Sequence, residues 1–362
     1  MRVYGLHVEW YDPQPMLTRE FVMRIYGDEG QVEMYDAHSR RTFLKKSPLP
    51  PAITRNDLYV GNDIVLHSRI LKIVRYADSA TEEALRKTLI ESTCIITPDC
   101  LKNGKLGWAT TMLERANFRI TKLKMVYLNH IEAEECCSAL RKGPKIAKLL
   151  CSGKCVVMTM SCIDAVSALR QTCDMISKKG NDFWEFPVMA APDEAAAIAL
   201  RELAFGSSRP LSCWPTARYG PNSTCCLVRP HALMSNKLGE ILSHIEATGT
   251  YEISAMGIFR LDMPTASEFM EVYEGVVPEF ELSVKQLSSG PCCVLELQAQ
   301  GAVPKFRETA GPWDVNFARE IRPWTLRAKF GLNSVDNAIH CTDLTDDGEA
   351  ELRYFFDSLT PA

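Results

Sequence analysis

The sequence predicts an α+β protein made of one small all-β module followed by two copies of a single strand-and-helix fold. Three observations predict it. Regular apolar alternation marks the first segment, an internal repeat runs through the remainder, and a Gly/Ser/Pro-rich stretch separates the two repeats. At 362 residues the chain has room for two or three domains.

The first elements are strands. In "REFVMRIYGDEGQVEMYD", Phe21, Met23 and Ile25 alternate with Val22, Arg24 and Tyr26. Asp28-Glu29-Gly30 supplies a turn, and Val32 and Met34 resume the alternation, so a hairpin is expected. "SPLPPAITRND" is a Pro-rich loop, and "LYVGNDIVLHSRILKIVRYAD" supplies two further extended runs, expected around Gly61-Asn62-Asp63. The module spans residues 1–79, and its histidines, His7, His38 and His67, have no recurring acidic partner in sequence. It reads as a binding module without catalytic groups.

The repeat sets the rest. "TCIITPDCLKNGKLGW" from Thr93 parallels "TCCLVRPHALMSNKLGE" from Thr224, with Pro98 against Pro230 and Leu106-Gly107 against Leu238-Gly239. "NFRITKLKMVYL", ending at Leu128, parallels "TYEISAMGIFRL", ending at Leu261, and Ser152-Gly153 and Ser289-Gly290 each precede an apolar run. Each copy reads strand, helix, strand, helix, strand, an α+β sandwich. The expected boundaries are 88–206 for copy one, 207–223 for a linker within "GSSRPLSCWPTARYGPNST", and 224–358 for copy two. The copies part near their ends: "MAAPDEAAAIALRELAF" stands where copy two has "IHCTDLTDDGEAELRYFF". No histidine lies between His130 and His231, so whatever His340 does, copy one cannot do.

Composition excludes several classes. An apolar share of 46% and a charged share of 24% are those of a globular protein. No apolar run nears the roughly 20 residues that cross a bilayer, and "MRVYGLHVEWYDP" lacks the layout of a secretory signal, so a cytosolic protein without membrane partners is expected. The formal charge of −4, read without a basic stripe beside it, gives no support for nucleic-acid binding. Fourteen cysteines include the adjacent pairs Cys136-Cys137, Cys225-Cys226 and Cys292-Cys293. Cys151-x-x-x-Cys155 has no second pair or nearby histidine to complete the four ligands of structural zinc. Reduced thiols packed as small apolar groups, and no metal site, are expected.

Asn337, His340, Thr342 and Asp343 fit an Asn-x-x-His-x-(Ser/Thr)-Asp run, and with it copy two resembles the nucleoside diphosphate kinase family. "LVRPHA", the "SGP" at Ser289–Pro291 and "RPWTLRAKFG" extend the resemblance. A lone histidine is usually a satisfied core or surface residue, but this one stands in a matched frame with Arg327 and Glu351 at the family's distances. The resemblance implies a ferredoxin-like fold with an antiparallel sheet for each copy, and a histidine that carries the γ-phosphate of a nucleoside triphosphate to a diphosphate, with Mg2+ accompanying ATP or NDP. Neutral imidazole is nucleophilic near pH 7, and the rest of such an enzyme supplies charge and alignment. It assigns His340 as the nucleophile and Glu351 as the carboxylate that orients its ring. Arg229 stands at the family's strand lysine, an exchange that is not conservative where phosphates pack closely. Arg307 and Arg327 would hold phosphate oxygens, Asn337 and Thr342 would complete the polar contacts, and Phe280 is offered for the base-stacking aromatic. Copy one has Thr97 at the lysine position.

The layout is informative too. "VEWYDP", "VEMYDAHSRRTFLK" and "DLYVGN" ahead of two kinase-like copies are similar to ciliary and flagellar members of the family, whose N-terminal DM-ten module is pleckstrin-homology-like. That likeness implies a structural component of the axoneme, a microtubule inner protein of the doublet lumen that meets tubulin and other inner proteins. Kinase activity in copy two is the alternative. Active family members are generally short chains that form hexamers, whereas this tandem can bury an equivalent interface between its own copies.

Overall fold

The computed structural model describes residues 2–12, 17–51, 53–60, 63–67, 69–86, 90–162, 164–179, 186–206, 216–277 and 279–359. It divides into two units, Met1–Ile90 with Cys162–Asp164, and Glu91–Ser161 with Ala165–Ala362.

The first unit is one antiparallel sheet. Its strands are β1 (Val3–Asp12), β2 (Leu17–Tyr26), β3 (Gln31–Asp36), β4 (Thr42–Pro48), β5 (Asp63–Leu66) and β6 (Arg69–Tyr76), in the order β4-β3-β2-β1-β6-β5. The hairpin falls where the alternation places it: Phe21, Met23, Ile25, Val32 and Met34 are all buried, and Met23 pairs with Met34. The second expected pair of runs is displaced. Gly61 and Asn62 lie outside the described residues, and Leu58–Val60 forms no strand. Instead β5 and β6 pair as a tight hairpin beyond that point, Leu66 opposite Arg69, with His67 at φ 47°. The reason is local. Asp57 accepts from the Thr54 N–H and hydroxyl, both at 2.8 Å, closing a 3-10 turn over Arg55–Asp57 that delivers Leu58 to the core instead of into an alternating run. The unit is also not all strand. Helix α1 (Ser79–Arg86) closes it, with the Gly5 N–H donating to Thr81 Oγ1 at 3.0 Å, which carries the unit past residue 79.

The second unit holds both copies. Copy one comprises β7 (Ile90–Ile96), α2 (Pro98–Lys102), α3 (Leu106–Arg115), β8 (Arg119–Tyr127), α4 (His130–Leu140), α5 (Pro144–Leu150), β9 (Lys154–Cys162), α6 (Ala165–Lys179), β10 (Val188–Ala190) and α7 (Glu194–Phe205). Copy two opens with β11 (Ser223–Val228), α8 (Pro230–Met234), α9 (Leu238–Ala247), β12 (Glu252–Arg260), α10 (Met263–Met270), α11 (Phe280–Leu287) and β13 (Pro291–Gln298). It ends with α12 (Ala302–Ala310), α13 (Val315–Ile321), α14 (Leu326–Phe330), β14 (Ile339–Cys341) and α15 (Asp347–Arg353). The strands form one sheet in the order β10-β7-β9-β8-β12-β13-β11-β14, which is two ferredoxin-type sheets joined at their second strands. At the join Lys124 pairs with Gly257, positions that the repeat makes equivalent, so an approximate two-fold axis passes between them.

The same axis relates α3 to α9. The Glu114 carboxylate accepts the N–H groups of Leu238 (3.1 Å) and Gly239 (2.8 Å), and the Glu246 carboxylate accepts those of Leu106 and Gly107, both at 2.9 Å. Each carboxylate therefore satisfies two of the unpaired donors that open the other copy's helix. Burial pushes the Glu114 carboxyl up to about 7 against the pull of those two donors, and raises Glu246 for the same leading reason. An unfolded glutamate titrates near about 4.3, so the folded chain holds the extra proton between that pH and about 7. Stability from the protonated form is present at low pH and is lost as pH rises through this window. In urea unfolding, the change in free energy from pH 5 to pH 8 is expected to be less favourable for the unmodified chain than for Glu114→Gln by about 1–3 kcal/mol. Equal slopes would show that Glu114 is ionised throughout.

Much of the expected linker, 207–215, lies outside the described residues. Its end is held firmly. Glu296 on β13, fully buried, accepts the N–H groups of Arg218 and Tyr219, both at 2.8 Å, and the hydroxyls of Ser223 and Ser254. The described cysteines are free thiols, buried except for Cys151.

Candidate functional site

The site is built on an edge strand. β14 runs antiparallel to β11, with His340 opposite Leu227 and Ile339 opposite Val228. The chain turns into β14 through Ala338 at φ 71°, a left-handed conformation that a non-glycine residue rarely adopts. Helix α15 then brings Glu351 back over the strand. His340 Nε2 lies 3.0 Å from Glu351 Oε1, and Thr342 Oγ1 donates to Glu351 Oε2 at 2.6 Å while accepting the Cys225 N–H at 3.0 Å. The carboxylate is thus fixed from one side by a hydroxyl and holds the imidazole from the other.

With Nε2 facing a carboxylate, the neutral ring carries its proton there and its lone pair on Nδ1. Nδ1 is buried and has no hydrogen-bond partner. Phe269 and Tyr273 stand edge-on to the ring, with centroids 5.0 and 5.8 Å away, and leave His340 only 1% exposed. Tyr273 is itself tied down, its hydroxyl donating to Asp343 Oδ2 at 2.8 Å. Burial, with Glu351 and Asp343 close by, holds that phenol protonated far above its usual range.

Cations surround this core. Arg229, the residue before α8, is fully buried, and its Nη1 donates to Val335 O (3.0 Å) and Gln286 Oε1 (3.3 Å). Its Nε and Nη2 have no partner. Burial, and then Arg327, pushes its pKa down to about 10, with Asp336 and Tyr273 opposing. Arg327, on α14, directs its donors at the chain: Nε to Ile339 O (3.3 Å), Nη1 to Gly311 O (2.8 Å) and Nη2 to Cys341 Sγ (3.6 Å). Arg307, on α12, is half-exposed and holds Asp343, with Nη1 donating to its carbonyl at 2.8 Å and Nε 3.4 Å from Oδ1. Asn337 is fully buried with both side-chain amide atoms unpartnered.

His340, Glu351, Thr342, Asn337, Arg229, Arg327 and Arg307 therefore come together at one end of the copy-two sheet. Phe280 makes no ring contact with them; it packs against the copy-two cluster that also takes in Phe269, Tyr273 and Trp313. Three aromatics that the sequence reading passed over do: Phe269, Tyr273 and Trp313. The guanidinium carbons of Arg229 and Arg327 each stand 5.3 Å from the Trp313 ring centroid, and Trp313 lies 6.1 Å from Tyr273. Of the three, Trp313 carried one weak signal, its place directly after Gly311-Pro312.

A buried guanidinium with two unpaired donors and no ion-pair partner among the described residues is costly unless an anion meets it. Phosphate oxygens fit the unsatisfied donors, Arg229 Nε and Nη2 and Asn337 Nδ2, while Asn337 Oδ1 needs a donor such as a sugar hydroxyl, so the residues present suit a nucleotide polyphosphate. No group of three or more His, Cys, Asp or Glu side chains among the described residues is placed to hold a metal ion. Mg2+ would enter on the phosphates.

Copy one shows what replaced this arrangement. Met189 pairs with Ile95 in β10–β7, the register that His340 and Leu227 occupy in β14–β11. The spacing that sets Met189 against His340 also sets Leu200 against Glu351 and Ala191 against Thr342. Met189, Ala191 and Leu200 are all buried in one apolar cluster. Thr97, at the place of Arg229, is fully buried and donates its hydroxyl to Phe186 O at 3.0 Å.

The description of the nucleoside diphosphate kinase family matches residues 91–180 and 222–360 of this chain. Nucleoside diphosphate kinase homolog 7 of Rattus norvegicus is 34% identical over 372 residues, covering 98% of this chain and 92% of that protein. The homolog 7 of Mus musculus is 36% identical with the same coverage. The nucleoside diphosphate kinase of Aquifex aeolicus is 34% identical over 136 residues, which is 38% of this chain and 94% of that enzyme.

Proposed function

The chain belongs to the nucleoside diphosphate kinase family, and from that premise we propose that it acts as a structural component that keeps kinase folds as packing units. We place it in the ciliary or flagellar axoneme, as a microtubule inner protein of the doublet. There the N-terminal unit, similar to a DM-ten module, and the kinase-like copies would meet tubulin and neighbouring inner proteins.

One observation carries the structural reading. His340 is 1% exposed beneath Phe269 and Tyr273, and the donors of Arg327 are taken up by protein carbonyls and a thiol instead of facing open space. The replacement of the histidine site in copy one by Met189, Ala191 and Leu200 agrees with it. So does the α3–α9 contact, which gives each copy a partner within its own chain.

A specific observation also supports the enzymatic alternative. Glu351, Thr342 and His340 retain the connected geometry of a held imidazole, with Nδ1 free of hydrogen bonds. Family enzymes use Mg2+ with nucleotides, and the metal would neutralise phosphate charge. Nδ1 would form a bond to the γ-phosphorus as the bond to the bridging oxygen breaks and the diphosphate leaves. Glu351 would hold the Nε2 proton and stabilise the charge that the ring acquires.

The test compares tagged chains in detergent-extracted, salt-washed axonemes. His340→Ala is expected to remain at the level of the unmodified chain, whereas removal of Met1–Asp78 is expected to deplete it severely. A module of about 80 residues can offer the roughly 800 Å² that one side of a specific interface needs, while a buried imidazole contributes almost no outer surface. Loss of His340→Ala with retention of the truncated chain would make nucleotide chemistry the determinant. An acid-labile, base-stable phosphate on the unmodified chain after incubation with ATP, absent from His340→Ala, would establish the enzymatic reading.

A further inference from the structure

We infer that Trp313 determines what the Arg229–Arg327 pair accepts: its indole takes the place of a polyphosphate, and a nucleotide binds only when that ring moves out. The inference rests on reading the His340 site as the phosphotransfer site of this family.

Both guanidinium groups lie at cation–π distance from the one ring, 5.3 Å from its centroid in each case. The negative face of the indole is thus the partner that Arg229 finds in place of a carboxylate. A polyanion would satisfy the same two cations more strongly, but the ring and the phosphates cannot share the space. The two occupants compete.

The pose of Trp313 has a weak point. Its Nε1–H is buried without a hydrogen-bond partner, which a buried indole normally finds. The ring is therefore held by the cations, by Tyr273 at 6.1 Å and by packing against the copy-two core, and not by a hydrogen bond of its own. The backbone before it is fixed. Gly311 sits at φ 86° with its carbonyl accepting from Arg327 Nη1, and a Cβ there would fall 2.3 Å from Thr325 Oγ1. Pro312 follows, with its φ locked by the ring. Displacement must therefore come from rotation of the Trp313 side chain, while the segment that carries it stays in place.

The experiment uses the full chain and two probes, ADP and inorganic tripolyphosphate, with affinities measured by titration calorimetry. Trp313→Ala is expected to bind both at least about tenfold tighter than the unmodified chain, and Trp313→Phe, which keeps a ring over the cations, to match the unmodified chain. A folded Trp313→Ala chain that binds no tighter overturns the inference. So does weaker binding by Trp313→Phe, because the indole N–H would then be a donor to the ligand. If Trp313→Ala does not fold, 5-fluorotryptophan is placed in the unmodified chain and the Trp313 resonance is identified by its loss in Trp313→Phe. Saturating ADP should move that resonance to a solvent-exposed position, and a resonance that stays buried refutes displacement. Phosphate transfer to His340 in the unmodified chain would end the structural reading alone, whereas the affinity ratio and the resonance decide the role of Trp313.

Discussion

Gly107→Val is expected to destabilise the second unit by about 3 kcal/mol or more, the upper end of what overpacking costs, because the obstacle it meets is backbone. A Cβ built on Gly107 would stand 2.1 Å from the Ser243 nitrogen and 2.6 Å from its Cα. The symmetric contact is as close: a Cβ on Gly239 would fall 2.3 Å from the Thr111 nitrogen. Helices α3 and α9 therefore touch main chain to main chain at these two glycines, and no side-chain rotation relieves an added methyl. Separating the helices would also draw the Glu246 carboxylate away from the Leu106 and Gly107 N–H groups it accepts. Gly143→Ala is the steric control, since nothing lies within 4 Å of a Cβ there, and its cost should be no more than the roughly 1 kcal/mol of putting alanine at the N-cap of α5. Urea unfolding measures both. A Gly107→Val chain within about 1 kcal/mol of the unmodified one would mean that the two copies do not depend on this contact.

These glycines show where sequence reading stops. Leu-Gly recurs eight residues after a proline in both copies, so the repeat was visible as a landmark. Its purpose was not, because a close approach between two helices more than 100 residues apart leaves no local pattern; Glu114 and Leu238 are separated by 124 positions. The first hairpin was legible because one face of it is buried, which writes burial directly into alternation. The displaced β5–β6 pair was not, because Gly61-Asn62 has the composition of a hairpin turn while the structure was decided upstream by the Thr54–Asp57 cap.

The site divides along the same line. His340 and Glu351 were legible as a pair through the family resemblance, because a strand followed by a helix keeps their spacing fixed from one member to another. Phe269 and Tyr273 reach the His340 ring, and Trp313 reaches Tyr273, from segments that carry no shared period, and only the fold assembles them. The fate of the site residues was equally hidden. The family resemblance assigned Arg327 to phosphate oxygens, yet its donors are directed at Ile339, Gly311 and Cys341. Residue type records what a side chain can donate; its acceptor is set by packing.

Leu200→Glu in copy one is expected to destabilise the second unit by about 4 kcal/mol, and adding Met189→His and Ala191→Thr to return about 1–2 kcal/mol of that loss. Leu200 is 1% exposed within an apolar cluster that includes Met189 and Ala191. A carboxylate placed there alone has no donor, so it must be buried unpaired or take up a proton. Copy two accepts the same group at the equivalent position because Glu351 meets His340 at 3.0 Å and Thr342 at 2.6 Å. If the two copies share backbone geometry, as the common register of Met189 with Ile95 and His340 with Leu227 indicates, the three substitutions together recreate those partners. Recovery remains partial because Ala191 is fully buried and a threonine there adds volume to a packed core. The measurement is urea unfolding of the single, double and triple variants, read as a cycle. A triple variant whose loss equals the sum of the single losses within about 0.5 kcal/mol would show that the imidazole, hydroxyl and carboxylate do not meet in copy one. The site would then belong to copy two's own helices and not to the fold that both copies inherited.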